Sequence, residues 1–361
     1  TKFDLRLYVA VTSLNPLRVY LHEHGLARFC TVKYSNKKRK SRFAHLTNYS
    51  LNKNNPDFKR AEGDADDEGH KWSIRAVWEH LEKAGVSTEP IKERINDLIV
   101  KTLLAVETQI STNMQLAVPH RNNCFELFGF DVILDEDYKP WLVEVNTALS
   151  LASDAPLDKK IKNQVVTELL HMLRIQCYDR KKLEERLERD KSSRLLGTAK
   201  SFKAKGTNNT ENTRRRDVCA GKKSSLEELT EEDVKILEEI DEENDRKGAF
   251  RRIFPQNNEQ MQKWMELFEV KRYYNILQYH WITRHNPTTS ARDYYQDQLR
   301  AATTAQAGGA TPVKKRGGLR SAAAKAKEVA VVQRLASPMR YNGGGSPVRG
   351  LNVDFIEWMQ K

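Results

Sequence analysis

The sequence predicts an α+β fold: a core of strands and helices over residues 1–177, a basic then acidic helical region over 178–285, and a mostly disordered basic tail over 286–361. Three observations carry that expectation. Phe3–Val11 alternates with the period of a strand. Residues 73–114 hold two stretches whose apolar positions recur at helical spacing. Residues 124–146 hold two strand-like runs joined by the turn Asp135-Glu136-Asp137.

Composition sets the outer limits. The 361 residues leave room for two domains, or for one large domain with long appendages. At 39% hydrophobic and 30% charged, the chain is polar for a globular protein yet too apolar for full disorder. It has no apolar run of ~18 residues, so no membrane span is expected. Strand-like alternation begins at once, without a charged-then-apolar leader, and gives secretion no support. The absence of an initiator Met suggests a fragment or an incomplete gene model. Four cysteines (Cys30, Cys124, Cys177, Cys219) form no CxxC pair, which argues against a zinc ribbon or a disulfide scaffold and for a reducing cytosol.

In chain order, the first strand puts Phe3, Leu5, Leu7, Val9 and Val11 on one face and Lys2, Asp4, Arg6, Tyr8 and Ala10 on the other. That reads as a half-buried strand. The Lys2-Asp4-Arg6 stripe either faces solvent or lines a site where Lys and Arg meet phosphate or carboxylate oxygens. Asn15-Pro16 marks a turn. Arg18–Leu21 and Ala27–Tyr34 read as strands separated by Gly25, and residues 35–70 as a long polar loop. Ser73 can cap a helix that runs to Lys83 and is stopped by Gly85. A second helix spans Glu89–Met114, with Ile91, Ile95, Leu98, Ile99, Val106 and Ile110 along one side. Cys124–Leu134 and Pro140–Asn146 form the hairpin. Ile161–Ile175 reads as a helix that buries Val165, Val166, Leu169, Leu170 and Leu173.

The net charge of +12 calls for an anionic partner. From Arg180 to Lys223 there are 15 basic and 6 acidic residues, including Lys200, Lys203, Lys205 and the triplet Arg214-Arg215-Arg216. From Ser224 to Asp245 there are 11 acidic residues against Lys235 alone. The basic run lacks the interleaved aromatics of a single-strand nucleic-acid groove, so an anionic protein surface is the better partner. A solvated linker is the other reading.

The strongest chemistry lies in the hairpin. Alternation puts Leu142, Glu144 and Asn146 on one face of their strand, and Asp131 sits inside an apolar run of the partner strand. Charges embedded in apolar strands are costly unless paired or bound to metal. Two carboxylates and an amide on neighbouring strands offer hard oxygen ligands suited to Mg²⁺. A strand acid salt-bridged to a lysine beside an edge-strand Asn accounts for the same residues.

Five blocks in order resemble one family. They are Lys2-Phe3-Asp4-Leu5-Arg6-Leu7-Tyr8-Val9, Glu23-His24-Gly25-Leu26-Ala27-Arg28-Phe29, His45-Leu46-Thr47-Asn48-Tyr49-Ser50, Phe125-Glu126-Leu127-Phe128-Gly129-Phe130-Asp131-Val132 and Pro140-Trp141-Leu142-Val143-Glu144-Val145-Asn146. Together they resemble the tubulin-tyrosine-ligase-like proteins, whose fold is of the ATP-grasp type, an antiparallel sheet with flanking helices. Ala155-Pro156-Leu157-Asp158 and Gly248-Ala249-Phe250-Arg251-Arg252-Ile253-Phe254-Pro255 resemble the tubulin polyglutamylase branch.

The resemblance implies an ATP-dependent ligase that joins free L-glutamate to γ-carboxylates in the acidic C-terminal tails of tubulin, through an acyl phosphate. It implies Mg²⁺ on Asp131, Glu144 and Asn146, and ATP on Lys2, Asp4, Thr47 and Asn48. The incoming glutamate would meet Arg28, Tyr49, Lys71 and Lys162, and the catalytic Arg6 would face the transferred phosphate or the acceptor. Lys200, Lys203, Lys205, Arg214, Arg215 and Arg216 would hold the microtubule. A cytoplasmic monomer on the cytoskeleton, at microtubules, a cilium or a basal body, is expected. A catalytically inactive microtubule-binding remnant and a glycine or tyrosine ligase are the alternatives.

Three features depart from the family, one of them the acidic loop at Lys53–His70, which has no counterpart in its pattern. Its catalytic chains carry a glycine-rich phosphate loop, a further ATP lysine and the adenine-binding hinge before the strand at Lys2. A truncated version of a longer protein is therefore the expectation. Thr147-Ala148-Leu149-Ser150 stands where a Ser-Pro-Ser turn is common.

Overall fold

A computed structural model describes residues 1–35, 41–59, 66–117, 124–153, 155–175, 181, 184, 185, 188, 209–284 and 289–307. Residues Thr1–Gln298 form one compact unit and Leu299–Lys361 a second, of which only 299–307 are described.

The first unit is built on a seven-stranded antiparallel sheet: β1 (Phe3–Leu14), β2 (Leu17–His22), β3 (Leu26–Phe29), β4 (Lys71–Ser73), β5 (Glu126–Leu134), β6 (Pro140–Asn146) and β7 (Phe250–Phe254). The long β1 is its centre. One of its edges pairs first with β3 and then with β2, and the other pairs with β5, which carries β6 beyond it. β4 extends β3 and β7 extends β2. Residues beyond the basic run thus supply a strand to the sheet begun at Phe3.

β1 is not half-buried as its alternation suggested. Leu5, Leu7, Val9 and Val11 enter the main core, while Tyr8 and Ala10 enter a second core on the opposite face. A strand with neighbours on both edges and helices on both faces has no wet side. The main core is closed by α3 (Ile74–Lys83) and α4 (Glu89–Ala117) through Ile74, Val77, Ile91, Ile95 and Ile99. The Ser73 hydroxyl accepts from the Ala76 amide, so α3 starts at the cap its sequence offers. The second core is closed by α5 (Pro156–Leu173), whose buried stripe is Leu157, Ile161, Val165, Leu169 and Met172. That helix begins five residues before the expected Ile161, because Pro156 can occupy its first turn without losing a hydrogen bond. Leu170, expected inside, is half exposed.

Two short helices, α1 (Arg42–His45) and α2 (Tyr49–Asn52), punctuate the stretch read as loop, and β3 ends at Phe29 rather than Tyr34. On β6, Trp141 and Val143 are exposed on this edge strand, and a register shift lies opposite, between Asp131 and Val132.

The last part of the basic run holds α6 (Asn209–Cys219), and after it come α7 (Glu231–Asp245), α8 (Glu259–Glu266), α9 (Tyr273–Arg284) and α10 (Ala291–Ala307). α10 lies where the basic tail was expected to begin; residues 308–361 fall outside the described ones. A third core gathers Val218, Ile236, Leu237, Ile240 and Trp281. Polar bonds knit it to the β1–β2 hairpin: the Leu17 amide donates to Asn275 Oδ1 at 2.7 Å, and Thr12 Oγ1 donates to Glu243 at 2.6 Å. None of the described helices is long and apolar enough to cross a membrane.

Candidate active site

β1 places the site. Its even-numbered face carries Tyr8 and Ala10 beneath α5, and Asp4 and Arg6 beyond that cover. Antiparallel register sets Arg28 opposite Asp4, Lys71 opposite Arg28, Asp131 opposite Arg6 and Glu144 opposite Asp131. Directly opposed residues share a face. One face therefore carries Lys71, Arg28, Asp4, Arg6, Asp131 and Glu144 from five strands. Gly25 lets β3 come this close, since a Cβ there would stand 2.5 Å from the Arg6 carbonyl oxygen.

Four of these charges form a lattice. Arg6 Nε donates to Asp131 Oδ1 at 2.5 Å, and its Nη2 donates to Oδ2 at 3.0 Å. Arg28 donates through Nε to Asp4 Oδ1 at 3.0 Å and through Nη2 to both Asp4 Oδ2 and Asp131 Oδ2, the latter at 2.8 Å. Asp4 is 3% exposed and Asp131 2%. Burial alone would raise the Asp131 carboxyl, but Arg6 and Arg28 outweigh it and hold that group below the ordinary carboxylate range. Burial likewise opposes the Arg28 charge, and Asp4 and Asp131 more than compensate. Burial also pushes the Tyr8 phenol up to about 12, and its buried oxygen has no hydrogen-bond partner.

The metal set converges in part. Asn146 Nδ2 donates to Glu144 Oε1 at 3.1 Å and to the Gly129 carbonyl at 3.4 Å, and Asp131 lies directly across from Glu144. Two carboxylates and an amide oxygen fit Mg²⁺ chemically. Asp131 is already engaged, however: both its oxygens accept from guanidinium groups. Among the described residues, no group of three or more His, Cys, Asp and Glu side chains is placed to hold a metal ion. A cation would share Asp131 with Arg6 and Arg28 and complete its shell from Glu144 and the Asn146 oxygen.

Of the residues expected to hold glutamate, Arg28 is in the lattice. Lys71 Nζ donates to Asp158 Oδ2 at 2.6 Å and lies 4.0 Å from the centre of the Tyr49 ring. Lys162 donates to the Ala152 carbonyl. Of the ATP set, Asp4 alone joins the lattice. Lys2 Nζ lies 6.0 Å from the Tyr34 ring centre, and Thr47 and Asn48 lead into α2 beside Tyr49. Among the described residues these three make no hydrogen bond or ion pair with the four lattice charges.

Two groups at this face were not singled out for the site from sequence. Tyr8 hides among the apolar residues of its strand. Asp158 stands in a helix's first turn, where an acid reads as a cap.

The expected microtubule set needs correction. Lys200, Lys203 and Lys205 lie outside the described residues. Arg214 is buried: Nη1 donates to the Glu227 and Glu228 carbonyls, and Nη2 to Asp233 Oδ2 at 2.6 Å and to the Tyr273 hydroxyl. It holds the helical core together and offers nothing to an acidic tail. Arg215 is half-buried, donating to Glu211 and Glu232 and lying over the Tyr273 and Tyr274 rings. Arg216 is exposed.

Comparison with known proteins gives this geometry a context. The chain is 40% identical to mouse tubulin polyglutamylase TTLL5 over 273 residues, covering 70% of this chain and 20% of that protein. It is 37% identical to human tubulin monoglutamylase TTLL4 over 302 residues, covering 79% and 25%. It is 35% identical to Caenorhabditis elegans tubulin polyglutamylase ttll-5 over 275 residues, covering 71% and 38%. The chain thus spans a fifth to a quarter of the length of these mammalian relatives. Residues 1–183, which include every strand of the charged face, match the profile of the tubulin-tyrosine ligase family, and the chain belongs to that family.

Proposed function

We propose that this chain carries part of the catalytic apparatus of an ATP-dependent ligase that adds glutamate to side-chain carboxylates of tubulin's acidic C-terminal tails. The observation that carries the reading is the single sheet face that gathers Lys71, Arg28 and Arg6 with Asp4, Asp131 and Glu144. The names of the relatives support glutamate and tubulin, and with them a place on the cytoskeleton.

Such a ligation runs in two steps. An acceptor γ-carboxylate oxygen attacks the γ-phosphorus of ATP, ADP leaves, and an acyl phosphate forms. The amine of free glutamate then attacks the acyl carbon, phosphate leaves and the amine loses a proton, giving an isopeptide bond. Asp131, Glu144 and Asn146 would hold Mg²⁺, which when bound supplies charge stabilisation at the phosphates. Arg6 faces the transferred phosphate or the acceptor, where fixed positive charge favours the transition state. Arg28 and Lys71, with Tyr49 and Lys162, take the carboxylates of free glutamate and orient its amine. Lys2, Asp4, Thr47 and Asn48 meet the nucleotide. Arg216 and the exposed Lys222 and Lys223 attract the polyanionic tail, which is why docking should weaken with salt.

The test is incorporation of labelled glutamate into tubulin with ATP and Mg²⁺. Glu144→Gln removes a ligand charge from an exposed strand position and should abolish incorporation while leaving stability within about 0.5 kcal/mol. Undiminished incorporation overturns the metal assignment. The neutralisation of Asp131 by two arginines favours a second reading, a microtubule-binding relative without catalysis. In that case the wild-type chain incorporates nothing and still binds microtubules.

A further inference from the structure

Asp158 is the third residue of α5. A carboxylate at that position ordinarily reaches back to the amide that precedes the first turn. Asp158 makes no such bond. Its Oδ2 accepts from Lys71 Nζ, and its Oδ1 is buried without a hydrogen-bond partner. The residue is 2% exposed. An acid taken out of water and left half-satisfied is poor helix chemistry and needs another reason to be there.

Lys71 supplies the reason. It stands on β4, directly opposite Arg28. Its ammonium is fixed from two sides, by the Asp158 carboxylate at 2.6 Å and by the Tyr49 ring at 4.0 Å. A lysine on a free four-carbon stem must be ordered when a ligand arrives; one already clamped between an anion and a ring is not. An ammonium has three donors, so one bonded to a single carboxylate oxygen keeps capacity for a ligand carboxylate.

We propose that Asp158 is a positioning residue for the amino-acid substrate. It holds Lys71 where a carboxylate of free L-glutamate lands, beside Arg28, and thereby sets the affinity for that substrate. The inference rests on the ligase reading above. It is specific to the amino acid, because Asp158 makes no hydrogen bond or ion pair with Lys2, Thr47 or Asn48, the residues expected at the nucleotide.

Equilibrium dialysis of labelled L-glutamate against the whole chain tests it, with thermal unfolding recorded on the same samples. Asp158→Asn should weaken binding about tenfold, and Lys71→Met by at least as much. The double variant should bind no more weakly than Lys71→Met alone, since one residue acts through the other. Asp158→Glu keeps the charge but moves it by one methylene. It should lose only about threefold, and it reads the same contact should Asp158→Asn not fold. If the acid only ties α5 to β4, Asp158→Asn lowers the unfolding midpoint and leaves glutamate affinity within twofold of wild type, which overturns the inference alone. Losses that add in the double variant overturn it too. A wild-type chain that binds no glutamate overturns the ligase reading and the inference with it.

Discussion

Arg28 and Arg214 are both arginines drawn largely out of water, and both meet carboxylates, yet they sit in opposite kinds of surroundings. Arg214 gives its donors to two backbone carbonyls, an aspartate and a tyrosine hydroxyl, all from the helical region around it. Arg28 bridges two aspartates on neighbouring strands, with an arginine, a lysine and a glutamate at successive positions of the same sheet face. An arginine whose partners include main-chain carbonyls is bound into the fold and has no exchange to make. One whose partners are all carboxylates can trade one carboxylate for another, which is what an amino-acid substrate requires.

The hardest test of that contrast is Arg214→Met. Removing one partner leaves Asp233 buried without its ion pair, held by the Tyr273 hydroxyl and the Thr230 amide alone, and should cost about 3–5 kcal/mol, read as a fall in the urea midpoint. Glutamate affinity should be unchanged under conditions where the variant is folded. If the variant is stable and instead fails to bind microtubules, the burial argument is wrong and the original docking assignment returns. The converse is Arg28→Gln. Its side chain is 13% exposed, so the loss should be smaller, about 2–3 kcal/mol, while glutamate binding disappears. A variant that loses stability but keeps glutamate affinity would make the two arginines equivalent.

Part of this contrast could be read from sequence and part could not. The β6 limits and the facing of Asp131 and Glu144 follow from alternation and a three-residue acidic turn, both local signals. The polar face of β1 left two readings open because Asp4 and Arg6 look like residues that want water. Their partners, Arg28 and Asp131, come from 24 and 125 positions away, and only pairing reveals them. The triplet Arg214-Arg215-Arg216 misled for a geometric reason. Three consecutive residues on a helix are spread over about 200° of its circumference, so they need not share one solvent face. Val218, four residues after Arg214 and buried, was the available clue to which one points inward. Asp158 gave the sequence no reason to be tied to Lys71, 87 residues earlier.

α5 carries the same contrast along its own length, since Asp158 serves the site while Glu168 serves the fold. Glu168 Oε2 accepts from the Ala249 amide at 2.8 Å and lies 3.1 Å from His22 Nε2. Gly248, with φ +59°, leaves room for it: a Cβ there would come within 2.7 Å of the Glu168 carboxyl carbon. Burial lowers the His22 pKa and outweighs the support of the His24 carbonyl and Glu168. In the unfolded chain this histidine takes up a proton near pH 6.5, while the native one resists. Stability should therefore fall as pH drops below about 6.5, and His22→Gln should flatten that slope in urea melts at pH 5 to 7. A slope unchanged by the substitution would remove His22 from the account.

The smallest effect is expected at Arg216, and it bears most directly on where docking occurs. Arg216 is exposed, two helix positions from the buried Arg214, so truncation should not disturb the third core. A single exposed charge against a polyanion contributes little, so Arg216→Ala should weaken microtubule binding about two- to fivefold at low ionic strength. The difference should vanish as the Debye length shrinks below about 8 Å, above physiological salt. The comparison with Arg214 then becomes quantitative: one residue of the triplet changes the urea midpoint without changing the salt dependence, and its neighbour does the reverse. Equal salt dependence in wild type and Arg216→Ala would move docking off α6 altogether, to the lysines that precede or follow it.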